Sequence, residues 1–146
     1  MRCAIVLFTR DLRVNDNPAL GTAAREADQV LPLFVLDDGL LAVSERRTRL
    51  LASALHDLGR SLRRLGARLV VRRRDIVAET VRLARESGAQ TVYLAEDVSA
   101  FARERERRLG EMLAVRAFSG ITILPPGLVS SAGRDCYRVF TPYYRA

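Results

Sequence analysis

The stretch CAIVLFTRDLRVNDNPAL, residues 3–20, joins a buried strand to a capped helix through a polar loop. Residues 3–8 are continuously apolar, which is typical of a strand covered on both faces, as in a parallel sheet. Asn17 precedes Pro18, and this pair predicts an N-cap followed by the first residue of a helix. The loop 9–16 therefore follows the carboxyl end of a strand, where open parallel sheets bind their ligands.

The same alternation of apolar runs and helical periodicity continues along the chain. Apolar runs of strand length predict four further strands at 29–36, 68–72, 91–95 and 121–124. Helical spacing between the strands predicts helices at 18–27, 44–65, 76–87 and 99–118, the middle two capped by Ser44 and Asp75 and followed by Gly66 and Gly88. We therefore expect an α/β fold, a five-stranded parallel sheet with helices on both faces, of the Rossmann-like type.

Three local features of the sequence lead to further structural predictions. Pro32 lies inside the second strand and predicts a bulge or distortion, because proline cannot donate to a ladder. An apolar stripe is expected to bury one side of the long helix, and it comprises Leu50, Leu51, Ala54, Leu55, Leu58, Leu62 and Leu65. The run RERERR, 103–108, is expected to be a solvated helix face on which Glu104 pairs with Arg108.

Composition excludes several classes of protein. The chain has 146 residues, enough for one domain, and its 24 basic residues, all Arg, exceed 17 acidic ones for a net charge of +7. The arginines are spread among acids and there is no Trp, so direct nucleic-acid binding is not favoured. Neither a membrane span nor a signal peptide is predicted, and the cytoplasm is the expected compartment.

The usual signatures of catalysis and metal binding are missing from the sequence. His56 is the only histidine, and it falls in a predicted helix, where a surface position is expected. Cys3 and Cys136 are far apart and form no CxxC, so no metal site is predicted. Neither GxGxxG after the first strand nor GxxxxGK[ST] occurs. No catalytic residue is therefore predicted in this chain.

Two clusters of polar residues follow predicted strands. In the first loop Asp11, Arg13 and Asp16 are expected to lock the loop and cap the helix, with a wall against a second domain as the alternative. Asp97 lies just beyond the fourth strand, so it is a candidate ligand contact. The alternative for this second cluster is that Asp97 or Ser99 caps the following helix.

Several motifs resemble those of the DNA photolyase and cryptochrome family. FTRDLRVNDNPAL at 8–20 resembles the family's N-terminal signature, and LPLFVLDDGLL at 31–41 resembles its second-strand segment. AEDVSAFARERERRL at 95–109 resembles its fourth-strand segment, and Tyr137 to Tyr144 resembles the segment leading out of its α/β domain. The resemblance covers the whole chain in order. One departure is Arg74, which stands where a Gly is common before the Asp.

The resemblance implies a light-harvesting, chromophore-binding domain of a deoxyribodipyrimidine photolyase, a carbon–carbon lyase that repairs cyclobutane pyrimidine dimers with light. It divides the chain into an antenna-binding domain at 1–130 and, at 131–146, the start of a linker to a C-terminal helical domain. That second domain would hold FAD and contact damaged DNA, so the present chain alone is not expected to repair. The same domain of a cryptochrome and a stand-alone nucleotide-binding or interaction module are the alternatives.

The resemblance also implies an antenna chromophore and its contacts. The expected chromophore is 8-hydroxy-5-deazaflavin, with methenyltetrahydrofolate as the alternative. Folate-type members place an amide and a carboxylate where Phe101 and Ala102 stand here. In the expected roles Phe34 and Leu51 pack on the ring, Arg47 pairs with its ionised hydroxyl, and Asp97 accepts from a ring N–H. The residues carried over by the resemblance are Phe34, Val35, Leu36, Asp37, Asp38, Arg47, Leu51, Asp97 and Ala102.

Overall fold

Five parallel strands form the centre of the computed structural model, which describes residues 1–41, 44–122, 137 and 139–145. The strands are β1 (Cys3–Phe8), β2 (Gln29–Leu36), β3 (Val70–Arg73), β4 (Thr91–Ala95) and β5 (Ala114–Phe118). The helices are α1 (Pro18–Glu26), α2 (Asp38–Leu41), α3 (Glu45–Arg64), α4 (Ile76–Ser87), α5 (Ala100–Gly110) and α6 (Phe140–Tyr144). The order β3-β2-β1-β4-β5 is that of a doubly wound sheet, so the predicted fold class is confirmed.

Helices cover both faces of the sheet because successive strand residues point to opposite sides. On one face Ala4, Val6 and Phe8 of β1 pack with buried residues of α1 and α3, such as Ala23 and Leu58. On the other face the intervening residues of β1 pack with α4 and with Leu109 of α5. The central strand is therefore buried on both sides, as its continuous apolar run predicts.

Helix termini follow the capping signals in the sequence. Asn17, Ser44 and Asp75 each accept a hydrogen bond from a backbone N–H of the first turn, and they cap α1, α3 and α4. Gly66 and Gly88 adopt positive φ angles of 79° and 73° after α3 and α4. These predicted boundaries are confirmed, since each cap satisfies donors or acceptors that a helix end leaves free.

The fifth strand was predicted in the wrong place. Residues 114–118 pair with β4 from Thr91↔Ala114 to Ala95↔Phe118, whereas 99–118 was predicted as a single helix and the strand as 121–124. The helix ends at Gly110, and Val115 then packs against the core on the α4 side. Of the predicted strand, Ile121 and Thr122 lie in a bend, and 123–124 fall outside the described residues.

Pro32 causes no bulge in β2. The register with β1 continues unbroken from Cys3↔Gln29 to Phe8↔Phe34, with Pro32 opposite Val6. Pairing with β3 begins only at Leu33↔Val70, so Pro32 precedes the second ladder and its missing N–H costs no hydrogen bond there. The expected distortion is therefore absent.

The long helix buries a narrower stripe than its leucine pattern predicts. Leu58 and Leu62 are buried, while Leu51 and Leu55 are half-buried against the same core. Leu50 and Leu65 remain 71% and 67% exposed, because they lie at the margin of the stripe or beyond the last turn. His56 is exposed on this helix, as expected.

The predicted domain boundary at residue 130 lies outside the described residues. Beyond it, α6 carries Phe140, Tyr143 and Tyr144, and with Val139 these side chains are exposed. Tyr137 is half-buried and contacts the ring of Tyr143 edge-on, with the ring centroids 6.0 Å apart. An outward apolar face on this segment is what the expected contact with a second domain requires.

Arg74 adopts a φ of 100°, a conformation that favours glycine. Arg74 joins β3 to the N-cap Asp75, and the family resemblance indicates that Gly is common at position 74. We expect Arg74→Gly to raise the free energy of unfolding by about 1 kcal/mol, because glycine relieves the clash of Cβ with the backbone. Urea denaturation measures this. The control Arg73→Gly, within β3, should lower stability by about 0.5–1 kcal/mol, and a loss in both variants would contradict the strain.

Candidate ligand-binding site

A pocket of about 390 Å³ lies at the carboxyl ends of β1, β2 and β4. This edge includes the point where the strand order reverses beside β1, which is the usual ligand site of doubly wound sheets. Its apolar walls are formed by Phe8, Phe34, Val35, Ile76 and Phe101. Its remaining lining residues are Thr9, Arg10, Asp37, Gly39, Asp97, Ser99 and Arg105. The pocket therefore combines flat apolar walls with a small number of polar groups, as small-molecule sites do.

Asp97 is held in place at this pocket by two neighbours. Its Oδ1 accepts a hydrogen bond from the Ser99 backbone N–H at 3.0 Å, and its Oδ2 lies 3.0 Å from Arg10 Nε. Burial of this carboxylate, which is 8% exposed, opposes ionisation, but the Ser99 hydrogen bond and the Arg10 charge outweigh it and lower the pKa of Asp97. Asp97 is therefore a fixed anion at the pocket.

Ser99, rather than Asp97, caps α5. Ser99 Oγ accepts from the Ala102 N–H at 3.3 Å, and Asp97 stays outside the helix. The sequence left open whether Asp97 or Ser99 caps this helix, and the structure assigns the cap to Ser99. Asp97 remains available to a ligand through a carboxylate that already has two partners.

The first loop is locked by Asp11 and Asn17. Asp11 is buried, and its carboxylate accepts from the Thr9 backbone N–H at 3.2 Å and from Asn17 Nδ2 at 3.0 Å. Arg13 donates to the backbone carbonyls of Asp16 and Gly120. The predicted locking role is confirmed for Asp11 and Arg13, whereas Asp16 takes part through its carbonyl and the helix cap is Asn17.

Arg105 is a buried cation that lines the pocket. Its side chain is 6% exposed, and Nη2 lies 3.6 Å from Glu106 Oε1, beyond hydrogen-bond distance. Among the described residues neither Nε nor Nη2 has a hydrogen-bond acceptor, and Thr9 Oγ1 and Glu106 Oε1 also lack partners. Burial lowers the pKa of Arg105, opposed by the charges of Glu106 and Asp97. Arg105 is thus a buried cation at the pocket wall, with two donors that have no hydrogen-bond acceptor among the described residues.

The expectation that 103–108 is a solvated face is wrong at Arg105. Ala102, Arg105 and Leu109 form the buried side of α5, since residues three and four apart share one helix face. The predicted Glu104–Arg108 pair is also wrong: Glu104 pairs with Arg107 at 2.7 Å. Arg108 instead pairs with Asp75 at 3.2 Å, because Asp75 caps the neighbouring helix within its reach.

The structure divides the nine site residues of the sequence analysis into two groups. Phe34, Val35, Asp37 and Asp97 line the pocket. Leu36 is half-buried at the end of β2 and Asp38 is exposed, while Arg47 is exposed in the first turn of α3. Leu51 packs against the α1–α3 core, and Ala102 is fully buried beneath the Ser99 cap. Within the described part of the chain these last five lie outside the pocket lining.

Several lining residues were missed by the sequence analysis. Thr9 and Arg10 follow β1, so their position at a strand end was the available signal. Phe101 was considered only as a departure from folate-type members. Arg105 was hidden in an arginine-rich run, and its only signal was its helical phase with Ala102 and Leu109.

A second cavity of about 400 Å³ opens at the amino ends of the strands, and it is lined by Cys3, Glu26 and Tyr93 among others. Two of its polar side chains, those of Glu26 and Tyr93, already have partners. Tyr93 Oη donates to Glu26 Oε2 at 2.8 Å, and Arg116 pairs with the same carboxylate. The two cavities are similar in size, and we place the candidate site at the carboxyl edge because doubly wound sheets bind their ligands there.

The carboxyl groups of Glu106 and Glu104 should change the free energy of unfolding with pH in opposite directions. Burial raises the pKa of Glu106, so the folded state binds its proton more tightly and stability falls as pH rises above about 4.5. We expect Glu106→Gln to be more stable than the parent at pH 7 and nearly equal to it at pH 4, measured by urea denaturation.

The matched control is Glu104→Gln on the same helix. The Arg107 hydrogen bond lowers the pKa of Glu104, so its stabilisation is present at neutral pH and is lost on acidification. This variant should be less stable than the parent at pH 7. Equal pH profiles for the two variants would contradict the assignment of opposite environments.

No helix in the described ranges is long and apolar enough to cross a membrane. The fold and the pocket define the class of protein: a doubly wound α/β domain with a candidate small-molecule pocket at the carboxyl edge of its sheet.

Comparison with known proteins identifies the family. The family model for DNA photolyase matches residues 4–146. A deoxyribodipyrimidine photo-lyase of Streptomyces griseus is 43% identical over 99% of this chain and 34% of its own length. Cryptochrome-1 of Arabidopsis thaliana is 31% identical over 97% of this chain and 22% of its own. The chain belongs to the DNA photolyase family.

Solved structures agree with this assignment. A bacterial class III photolyase from Agrobacterium tumefaciens superposes with a TM-score of 0.88 at 30% identity, covering 99% of this chain and 31% of that one. An archaeal photolyase from Sulfolobus tokodaii, described with two FAD molecules and a novel light-harvesting cofactor, gives a TM-score of 0.85 at 26% identity, covering 98% and 34%. The present chain thus spans about a third of the length of these relatives.

Proposed function

We propose that this chain is the antenna-binding domain of a light-driven DNA repair enzyme, a deoxyribodipyrimidine photolyase. The observation that carries the proposal is the carboxyl-edge pocket, in which apolar and aromatic walls meet the fixed carboxylate of Asp97 in a member of the photolyase family. When bound, the chromophore would absorb light and pass the excitation to FAD. FAD and damaged DNA are assigned to a C-terminal domain of the complete protein.

The residues present fit a flat heteroaromatic group. Phe101, which is 65% exposed, supplies ring-sized apolar surface, and the buried Phe34 adds to the apolar wall. Asp97 supplies a fixed acceptor for a ring N–H, and Arg10 beside it supplies a positive charge at the pocket. Walls and polar edge together would orient a ring and exclude water from it.

Among the chromophores, 8-hydroxy-5-deazaflavin fits better than methenyltetrahydrofolate. Folate-type members place an amide and a carboxylate at two positions where this chain has the apolar Phe101 and a fully buried Ala102. Neither can hydrogen-bond a pterin through its side chain. Five residues outside the pocket lining remain part of the proposed chromophore surroundings, and they are Leu36, Asp38, Arg47, Leu51 and Ala102.

A cryptochrome is the second candidate, supported by the 31% identity to Cryptochrome-1 of Arabidopsis thaliana. A complete cryptochrome would carry the same α/β domain without repairing DNA. Repair of a dimer-containing oligonucleotide under light by the complete protein would distinguish the two.

Chromophore titration tests the proposal on the 146-residue chain. The probes are 8-hydroxy-5-deazaflavin, 5,10-methenyltetrahydrofolate and FAD, followed by fluorescence anisotropy and by absorption. We expect saturable one-to-one binding of the deazaflavin with a displaced absorption band, and weaker binding of the other two. Absence of binding by all three probes would overturn the antenna function, and tightest binding of the folate would overturn the choice of chromophore.

A further inference from the structure

The positive charge of the protein is concentrated in residues 45–74, which we call the basic flank; it comprises α3, the turn after it, β3 and Arg74. The basic flank holds ten arginines and two acids, for a net charge of +8. The rest of the chain holds the other 14 arginines and 15 acids, for a net charge of −1. The whole excess of +7 therefore belongs to one continuous segment of the fold.

The acids near the basic flank do not neutralise it. Its own two acids are each paired with one arginine of α3, and Arg72 pairs with Glu86 of α4 at 2.7 Å. Seven further arginines are exposed and make no ion pair within the described part of the chain. They are Arg46, Arg47, Arg63, Arg64, Arg68, Arg73 and Arg74. These side chains are available to an external anion.

On α3 the cations lie opposite the side that packs on the sheet. Leu62 is buried beneath the helix, and Arg64 follows it by two residues, about 200° around the axis. Arg46 and Arg64 are about five full turns apart, so they lie on the same side of the helix, separated by about 27 Å along its axis. The outward side of α3 therefore presents positive charge at both of its ends.

The strand β3 brings further cations to the same flank. It is the edge strand of the sheet, beyond β2. Leu69 packs with the core beneath α3, and Val70 packs with the core on the opposite face. Because side chains alternate along a strand, Arg73 lies on the same side as Leu69, which is the side of α3. The helix and the strand thus form one exposed basic surface.

The stability of α3 does not explain this charge. Arg63 and Arg64 lie in the last turn, where the helix dipole favours cations. Arg46 and Arg47 follow the N-cap Ser44 in the first turn, where the dipole disfavours them. Like charges on one segment also repel each other and lower the stability of the fold. Local features that oppose stability in this way are typical of functional surfaces.

Duplex nucleic acid fits the basic flank better than a single strand or a membrane. A duplex carries one negative charge per about 1.7 Å, and guanidinium groups bind phosphate through two hydrogen bonds. Residues 45–74 include no aromatic side chain on which unpaired bases could stack. The apolar side of α3 is turned to the sheet, with Leu58 and Leu62 buried, so it is not available to enter a lipid surface.

We propose that the basic flank binds the phosphate backbone of duplex DNA, independently of base sequence and of damage. The basic flank shares no residue with the described lining of the carboxyl-edge pocket, so the proposal does not depend on chromophore binding. The sequence analysis considered the arginines over the whole chain and did not favour direct nucleic-acid binding. The fold separates the basic flank from most of the acids, and this separation changes the expectation.

Fluorescence anisotropy of a labelled, undamaged DNA duplex about two helical turns long tests the proposal on the 146-residue chain. We expect a Kd of about 10⁻⁴–10⁻⁶ M at physiological salt, and the same Kd for a duplex that contains a cyclobutane pyrimidine dimer. The triple variant Arg46→Gln, Arg63→Gln, Arg64→Gln should bind about 10–100-fold more weakly at low salt. Its salt slope should fall by about 3, or one for each lost phosphate contact.

The matched control is the triple variant Arg25→Gln, Arg85→Gln, Arg103→Gln. It removes the same charge from exposed arginines outside the basic flank that make no ion pair with a described residue. Its Kd and salt slope should stay close to those of the parent. Circular dichroism checks the folding of both triple variants. If the first of them fails to fold, Arg46→Gln alone should still lower the salt slope by about 1.

Three outcomes would overturn the proposal. Equal weakening in the two triple variants would show that net charge alone attracts DNA. A preference of this chain for the damaged duplex would show recognition of more than the backbone. Binding to vesicles that contain phosphatidylserine, with none to the duplex, would assign the basic flank to a membrane surface. Chromophore titration is a separate measurement, so failure of DNA binding leaves the antenna function standing, and the reverse also holds.

Discussion

Replacing Asn17 with Ala should lower the free energy of unfolding by about 2–4 kcal/mol, a large share of the ~5–15 kcal/mol typical of a domain. Asn17 Oδ1 accepts from the Leu20 N–H at 3.0 Å and so caps α1. Its Nδ2 donates to the buried Asp11 carboxylate and to the Arg13 carbonyl, each at 3.0 Å. Alanine removes the cap and leaves a buried anion without one of its donors.

The control for this variant is Ser44→Ala. Ser44 caps α3 through one hydrogen bond to the Arg47 N–H and is exposed, so its loss should cost about 1 kcal/mol. Urea denaturation of both variants compares the two caps directly. Equal losses in Asn17→Ala and Ser44→Ala would show that the contact with Asp11 contributes nothing.

The Asn17 network also reaches the ligand pocket. Asp11 accepts from the Thr9 backbone N–H, and Thr9 and Arg10 line the pocket. The loop that lines the pocket is therefore held by the same residues that begin the first helix. Loss of Asn17 should weaken chromophore binding as well as stability, because the loop loses its fixed conformation.

Local signals were sufficient for most of the fold. The strands at 3–8, 29–36 and 91–95 and the caps at Asn17, Ser44 and Asp75 follow from apolar runs and from capping chemistry. These features depend on neighbours in sequence, and this is why they can be predicted without the tertiary structure.

The fifth strand was missed because its formation depends on a distant partner. Residues 112–118 are rich in Met, Leu, Ala and Arg, which favour a helix, whereas the β-branched 121–123 favour a strand. Pairing with β4 and stacking of Phe118 on Tyr93, with ring centroids 6.0 Å apart, override these propensities. Neither contact can be seen in a local window.

The candidate site was predicted in location but only partly in membership. Loops after β1, β2 and β4 were expected to form it, and they do line the pocket. Arg105 was missed because an arginine among charged residues is normally solvated, and only the phase of α5 places it inside. Residue type predicts burial poorly when one helix face must close a pocket.

Replacing Asp97 with Asn should weaken deazaflavin binding about 10–100-fold, provided that the carboxylate accepts from the ring. Asparagine has almost the same shape, so the pocket volume and the hydrogen bond from the Ser99 N–H can be retained. The negative charge that attracts Arg10 and balances Arg105 is lost. The loss should therefore appear mainly in Kd, measured by fluorescence anisotropy.

Asp38→Asn tests an exposed acid beyond β2 that belongs to the proposed chromophore surroundings but not to the described pocket lining. Asp57→Asn is the matched control, since Asp57 is an exposed acid on α3 outside that lining. Its Kd should equal that of the parent. A loss in Asp38→Asn with none in Asp97→Asn would move the binding site away from the pocket, toward the exposed residues that the family resemblance suggested.

Stability against pH supplies an independent check on Asp97. Its pKa is lower in the folded state than the ordinary 3.8, so the folded state binds this proton less tightly than the unfolded state. The stabilisation is complete above pH 3.8 and is lost as pH falls through the lowered pKa. Parent and Asp97→Asn should therefore differ most at neutral pH and converge in acid, because protonation removes from the parent the charge that the variant lacks. A stability difference that grows on acidification would show that Asp97 is not held as an anion at this pocket.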